Sequence, residues 1–197
     1  MNSFESISRI KSSTASLNPF THVFSLMLLI GKGKEKAKMP KRSLLLQSLI
    51  LRYAMSDESE NHKKLVRRLY EDVYNQGKLE AIPEIYAANF VTHPSSVSPE
   101  GLHGLLELET FVKTLRAGLQ DLHFTILDEI CVGDKIVTRW RMDGTMTGHL
   151  FNFAPTNKRG STTGITIHRI ANGKIIETWE EADMLNALNQ FVGPSES

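Results

Sequence analysis

"TTGITIHRIANGKIIETWEEAD", residues Thr162 to Asp183, decides how this chain folds. Two runs rich in Ile and Thr flank Ala171, Asn172 and Gly173, the pattern of a β-hairpin. Ala171 and Asn172 suit a type I turn with Gly173 in the left-handed position after it, a three-residue loop that sets Ile170 against Lys174. The same register opposes Arg169 with Ile175, Ile167 with Glu177 and Ile165 with Trp179. A two-residue turn would slip the pairing by one and set Thr166 opposite Trp179. In the three-residue register one face carries Ile165, Ile167 and Trp179 together with Arg169, Glu177 and Asp183. Apolar walls with a few charged groups suit a ligand cavity better than a dry core.

Upstream, a period near two predicts further strands at 122–131 and 135–146, joined tightly at "VGDK", with the hairpin strands at 162–170 and 174–182. Before them the spacing is helical. Leu65, Val66, Leu69, Tyr70, Val73 and Tyr74 predict a first helix from Ser59, closed by Gly77. "LEAIPEIYAA" reads as a short second helix with Pro83 near its first turn, and Asn89 to Thr92 as a brief extended segment. Leu105, Leu108, Phe111, Val112 and Leu115 make the stripe of a third helix. Helices first and sheet second imply an α+β domain: a curved antiparallel sheet with three covering helices around a cavity.

These segments also carry a family resemblance, from about Asn61 to Gly193. "YNQG" (Tyr74 to Gly77), His93, "QDL" (Gln120 to Leu122), "GDKIVTRW" (Gly133 to Trp140), "GTMTGHLFNFAPTNK" (Gly144 to Lys158), "HRIANGKI" (His168 to Ile175), "TWEEAD" (Thr178 to Asp183) and "NQFVG" (Asn189 to Gly193) together resemble a SnoaL-like polyketide cyclase or ester cyclase domain. The resemblance implies the cone-shaped fold of the nuclear-transport-factor-2-like superfamily. It also implies an intramolecular aldol closure of a polyketide ester, moved by an acidic residue without metal or cofactor. The family's Asp after the last-strand Trp matches Asp183. Two departures stand out: Met146 where many relatives have His, and "PTNK" where "PTGK" is commoner.

An aldol closure needs a base to remove a proton beside a carbonyl and an acid to protonate the new alkoxide, and one carboxyl group can serve both. Asp183 is the catalytic candidate, with His93 or Arg169 as a donor to the enolate. Trp140, Met142, Met146, Ile165, Ile167, Arg169 and Trp179 are the candidate walls for a small, largely apolar carbonyl ligand. Each has a structural alternative: Asp183 as N-cap of a helix from Met184, Arg169 with Glu177 as an ion pair, the two tryptophans as core. The activity also has rivals, a hydrolase of another small molecule or a non-catalytic binding or dimerisation module. A homodimer through an outer sheet face would use Thr166, His168, Ile176 and Thr178. The histidines show no HExxH spacing, so no metal is expected.

Charge divides the chain. Residues 1–55 hold nine Lys/Arg and two acidic residues, and the remainder fourteen against twenty. The first part has two apolar runs, each short of the roughly 20 residues a bilayer helix needs, and too few aromatics for a nucleic-acid surface. With one cysteine, Cys131, a reducing cytoplasmic setting is expected, or an organelle if the basic segment is a transit peptide. "MSDESENHKK" from Met55 resembles an ordinary protein start, so residues 1–54 read as an extension and 55–197 as the domain. A chain beginning at Met55 is therefore expected to keep one cooperative thermal transition; loss of that transition would place the extension in the domain's core.

Overall fold

The computed structural model describes residues 41–193. The chain divides into two units between Ala54 and Met55. Most of the basic extension, residues 1–40, lies outside the described residues.

Helix α1, Lys41–Arg68, begins well before Ser59, because no Gly or Pro interrupts that span. It passes directly into a π-helical turn, Leu69–Asn75, which buries Leu69, Tyr70 and Val73. The wider turn ends at Gly77, whose φ of 72° suits glycine. After a 3₁₀ turn at Leu79–Ala81, α2 (Ile82–Ile85) accepts Pro83 in its first turn. Strands β1 (Tyr86–Thr92) and β2 (Leu102–His103) precede α3 (Gly104–Gly118). Then come β3 (His123–Val132), β4 (Lys135–Thr145), β5 (Arg159–Ala171), β6 (Lys174–Ala182) and α4 (Met184–Phe191).

The strands form one curved, unclosed sheet in the order β2-β1-β6-β5-β4-β3. Together with the helices it makes the expected α+β cone, with one departure: β1 runs parallel to β6. Hairpins force antiparallel pairing, whereas β1 and β6 are joined through most of the domain, so no short turn dictates their direction.

The hairpin itself corrects the sequence register. Ala171 pairs with Lys174 across Asn172 and Gly173, both with left-handed φ (52° and 72°), so the turn has two residues and not three. Ile170 then pairs with Ile175 and Arg169 with Glu177, leaving Ile176 as an extra residue in β6. Beyond this bulge Ile167 lies opposite Trp179 and Thr166 opposite Glu180. Ile165, Ile167, Arg169, Glu177 and Trp179 do share a face, but it is the outer one. Ile165 is 48% exposed, while Thr166, His168 and Thr178 are 2%, 2% and 4% exposed. The expected dimer contact is thereby corrected too: three of its four residues are inside. The buried face of β5 is the polar one, Thr162, Thr166 and His168, so hydrophobic alternation points the wrong way.

The core gathers Leu69, Val73, Ile85, Phe90, Val112, Leu119, Ile136, Met146 and Ile175 between helices and sheet. Within it Trp140 lies directly across from Gly164. A Cβ at Gly164 would meet the indole edge of Trp140 and come within 2.7 Å of the Glu181 carbonyl oxygen. Gly164→Ala is accordingly expected to cost about 1–3 kcal/mol by overpacking, measured by urea denaturation. A variant as stable as wild type would show that Trp140 has room to move.

Candidate functional site

The cone encloses an apolar cavity of about 80 Å³ whose walls include Tyr74, Phe124, Trp140, Met142, Met146 and Phe191. Trp140 and Met142 project from β4, and Tyr74 from the π-helical turn. Among the described residues lining this cavity, one is charged: Glu180, on β6. Val97, Phe111, Phe151 and Met184 line both this cavity and an adjacent open hollow of about 680 Å³.

The setting of Glu180 follows from Thr166. The Thr166 hydroxyl accepts from the Trp140 indole N–H at 2.8 Å and from the Tyr70 hydroxyl at 3.5 Å. With both acceptor positions taken, its own proton is left to donate to Glu180 Oε1, 3.3 Å away. Enclosure opposes ionisation of the carboxyl more strongly than this one bond favours it, and Glu181 adds repulsion. The pKa of Glu180 is pushed up to about 7. The residue is half-buried, with its carboxyl against the Thr166 hydroxyl in the cavity wall. Burial also raises the phenols of Tyr70, Tyr74 and Tyr86, which stay protonated near neutrality. A carboxyl that gains and loses its proton near pH 7, against apolar walls, can exchange protons with a carbon acid.

A smaller, more polar cavity of about 20 Å³ adjoins this one, with Glu180, Tyr74 and Phe111 lining both. Tyr70, Tyr86, Thr92, Thr166, His168 and Thr178 complete most of its wall. His168 Nδ1 is 2.9 Å from Thr178 Oγ1. Burial pushes the His168 pKa down to about 3, so the ring is neutral at ordinary pH.

Of the sequence candidates, Trp140, Met142 and Met146 line the apolar cavity. The others do not join them. His93 stacks on Trp179 on the outer face, ring centroids 4.7 Å apart and 6° from parallel. His93 Nε2 lies 2.8 Å from Glu177 Oε1, and Arg169 Nε donates to Glu177 Oε2 at 2.6 Å. These two partners hold the Glu177 carboxyl below its ordinary pKa. Ile165 and Ile167 lie on the same outer surface. Asp183 is exposed and caps α4, its Oδ1 accepting from the Asn186 N–H at 3.1 Å. Its carbonyl accepts from the Thr162 hydroxyl at 2.8 Å, which anchors the strand end without bringing the carboxylate into the cavity.

Sequence reasoning missed Glu180, Thr166, Tyr70, Tyr74 and His168. The available signals were the Tyr pair four residues apart on a helical pattern and a β-strand alternating Thr and His with Ile. Among the described residues, no group of three or more His, Cys, Asp or Glu side chains gathers as a metal site requires. No described helix is long and apolar enough to cross a membrane.

A family model described as SnoaL-like polyketide cyclase matches residues 64–191. Among solved structures, a protein assigned as a SnoaL-like polyketide cyclase from Jannaschia sp. CCS1 aligns with a TM-score of 0.64 at 20% identity, covering 69% of this chain and 94% of its own. TsrD from Streptomyces laurentii aligns with a TM-score of 0.62 at 21% identity, over 68% of this chain and 96% of its own. At these identities the likeness concerns the fold. IdmH from Streptomyces antibioticus, assigned as a polyketide cyclase, aligns at 25% identity with a TM-score of 0.58, over 65% of this chain and 96% of its own. No curated protein matches the chain.

The raised pKa of Glu180 has a consequence for stability. The unfolded chain releases this proton near pH 4.5 and the folded chain near 7, so between them the folded state binds more protons. Stability therefore falls as pH rises through this window, and the penalty persists above it. Glu180→Gln removes the penalty: the variant is expected to gain nothing at pH 4 and up to about 3 kcal/mol at pH 8, read from paired urea melts. An equal gain at both pH values would contradict the enclosed, titrating carboxyl.

Proposed function

Because the chain belongs to the SnoaL-like polyketide cyclase family, we propose that it cyclises or isomerises a small, largely apolar carbonyl compound by acid/base catalysis, with Glu180 as the proton carrier. The observation that carries this reading is a single carboxyl group in the wall of an apolar cavity, where burial raises its pKa towards neutrality. In its ionised form Glu180 removes a proton from the carbon beside a carbonyl, giving an enolate and a neutral carboxylic acid. The enolate carbon attacks a second carbonyl of the same molecule and forms the new carbon–carbon bond. The resulting alkoxide takes the proton back from Glu180, so the group ends as it began and nothing is oxidised or reduced.

The other residues have supporting parts. Trp140 and Met142 exclude water from the reacting carbon, and exclusion strengthens every charge interaction there. Thr166 holds Glu180 in place through a donor whose direction its own two partners determine. The open hollow beyond Phe151 and Met184 accommodates the remainder of the substrate. Asp183, by this reading, keeps α4 attached and leaves proton transfer to Glu180.

The experiment does not need the natural substrate, since the first step alone exchanges a carbon-bound proton with solvent. Methyl benzoylacetate, an apolar β-keto ester, is incubated in D₂O and its α-deuteration followed by NMR. Wild-type protein is expected to accelerate exchange with a rate that rises through pH 7. Glu180→Gln is expected to lower the protein-dependent rate roughly 100-fold or more, the scale of losing a general base. Asp183→Asn, which keeps the cap, is expected to retain it. Loss of exchange in Asp183→Asn with retention in Glu180→Gln would transfer the role to Asp183.

A further inference from the structure

The small polar cavity beside Glu180 contains a group that the proton transfer leaves unused. His168 is 2% exposed, and its Nε2 has no hydrogen-bond partner among the described residues. An enclosed polar atom left in that state costs about 1–3 kcal/mol, so its position calls for a partner from outside the chain. The cavity that His168 helps to line, about 20 Å³, matches one oxygen atom, since a water needs ~10–15 Å³ on the same measure. Its walls mix the hydroxyls of Tyr70, Tyr86, Thr166 and Thr178 with the apolar side chains of Leu69, Leu102 and Leu108, and Glu180 lines both this cavity and the apolar one. The two cavities share Glu180, Tyr74 and Phe111 in their walls, so an oxygen in the polar one would lie beside a molecule held in the apolar one.

We propose that this polar cavity is an oxygen-binding subsite, in which His168 Nε2 donates to the carbonyl oxygen of the compound whose neighbouring carbon Glu180 deprotonates. The proposal rests on the acid/base reading of Glu180 and adds the substrate's orientation: oxygen towards His168, hydrocarbon towards Trp140 and Met142. The proposal assigns the Thr178 hydroxyl as donor to the ring. With that hydroxyl donating to Nδ1, the ring proton resides on Nε2, facing no protein acceptor. A neutral imidazole suits this work because it stabilises a developing enolate oxygen by hydrogen bonding and keeps its own proton. The proton balance of the reaction is unchanged: Glu180 carries the proton and His168 holds the oxygen.

The test uses 2-naphthol, an apolar phenol resembling an enolate, against naphthalene, which lacks the oxygen. Wild-type protein is expected to bind 2-naphthol about tenfold or more tighter than naphthalene, the worth of one enclosed hydrogen bond. His168→Phe is expected to remove most of that preference and leave naphthalene binding about the same, while His168→Gln, which retains a donor, restores part of it. In ¹⁵N-labelled wild-type protein the His168 Nε2 resonance is expected to move on adding 2-naphthol and stay still on adding naphthalene. This second readout does not depend on how any variant folds. A preference kept in His168→Phe, an unmoved Nε2 resonance, or failure of wild type to distinguish the two compounds would each overturn the subsite. The acid/base reading fails separately: if the oxygen preference follows His168 while Glu180→Gln leaves proton exchange intact, the subsite stands and the assignment of Glu180 falls.

Discussion

One extra residue in β6, Ile176, decides which acidic side chain faces the interior. Two-residue pairing at Asn172 and Gly173, carried on without interruption, would set Thr166 opposite Trp179 and turn Trp179 and Glu177 inward. The bulge shifts the pairing by one, so that Thr178 and Glu180 point into the cone and Trp179 points out. Everything at the site follows from that shift. Thr166 and Glu180 become cross-strand neighbours, and His168 comes to face Thr178. The displaced Trp179 instead carries His93 on its outer face and has Lys135 5.2 Å from its ring centroid.

A carboxyl group enclosed by aromatic walls must gain strong partners or keep its proton. Glu180 has one neutral donor, so the balance leaves it titrating near pH 7. Among the described residues lining its cavity no cation faces Glu180: Arg169, the nearest basic residue by strand position on β5, is on the other face with Glu177. Gly164 completes the arrangement by letting the Trp140 indole lie against β5, where its N–H reaches Thr166. The contact between a glycine and an indole thus transmits, through one threonine, to the position of the acidic group.

The architecture was legible in the sequence because it depends on coarse periodicity. Helical spacing in α3 and the alternation of β4 survive small register errors, and the order of the segments already implied helices packed on a sheet. The site was not legible, because it depends on parity. Binary patterning assigns Ile165 and Ile167 inward and Thr166 and His168 outward, and the molecule does the opposite. Buried Thr and His side chains are tolerated there by hydrogen-bonding one another and their neighbours, a compensation that no residue shows alone. Asp183 illustrates the other limit. Its place after Trp179 matched a family pattern, yet its capping bond to Asn186 depends on a helix start that the apolar Met184 and Leu185 only suggest. Trp140 and Met142 were identifiable because their strand alternates cleanly, with every second residue from Ile136 to Gly144 buried, and Met146, just past its end, keeps the same parity.

The central claim is that Glu180 holds its proton inside an apolar cavity until about neutral pH. The direct measurement is a ¹³C NMR titration of its side-chain carboxyl carbon, assigned by comparison with Glu180→Gln, across pH 4 to 9. A midpoint near 7, well separated from the other glutamates, is the result this account predicts. A midpoint near the ordinary 4.5 would mean that the carboxyl is solvated, and would contradict it.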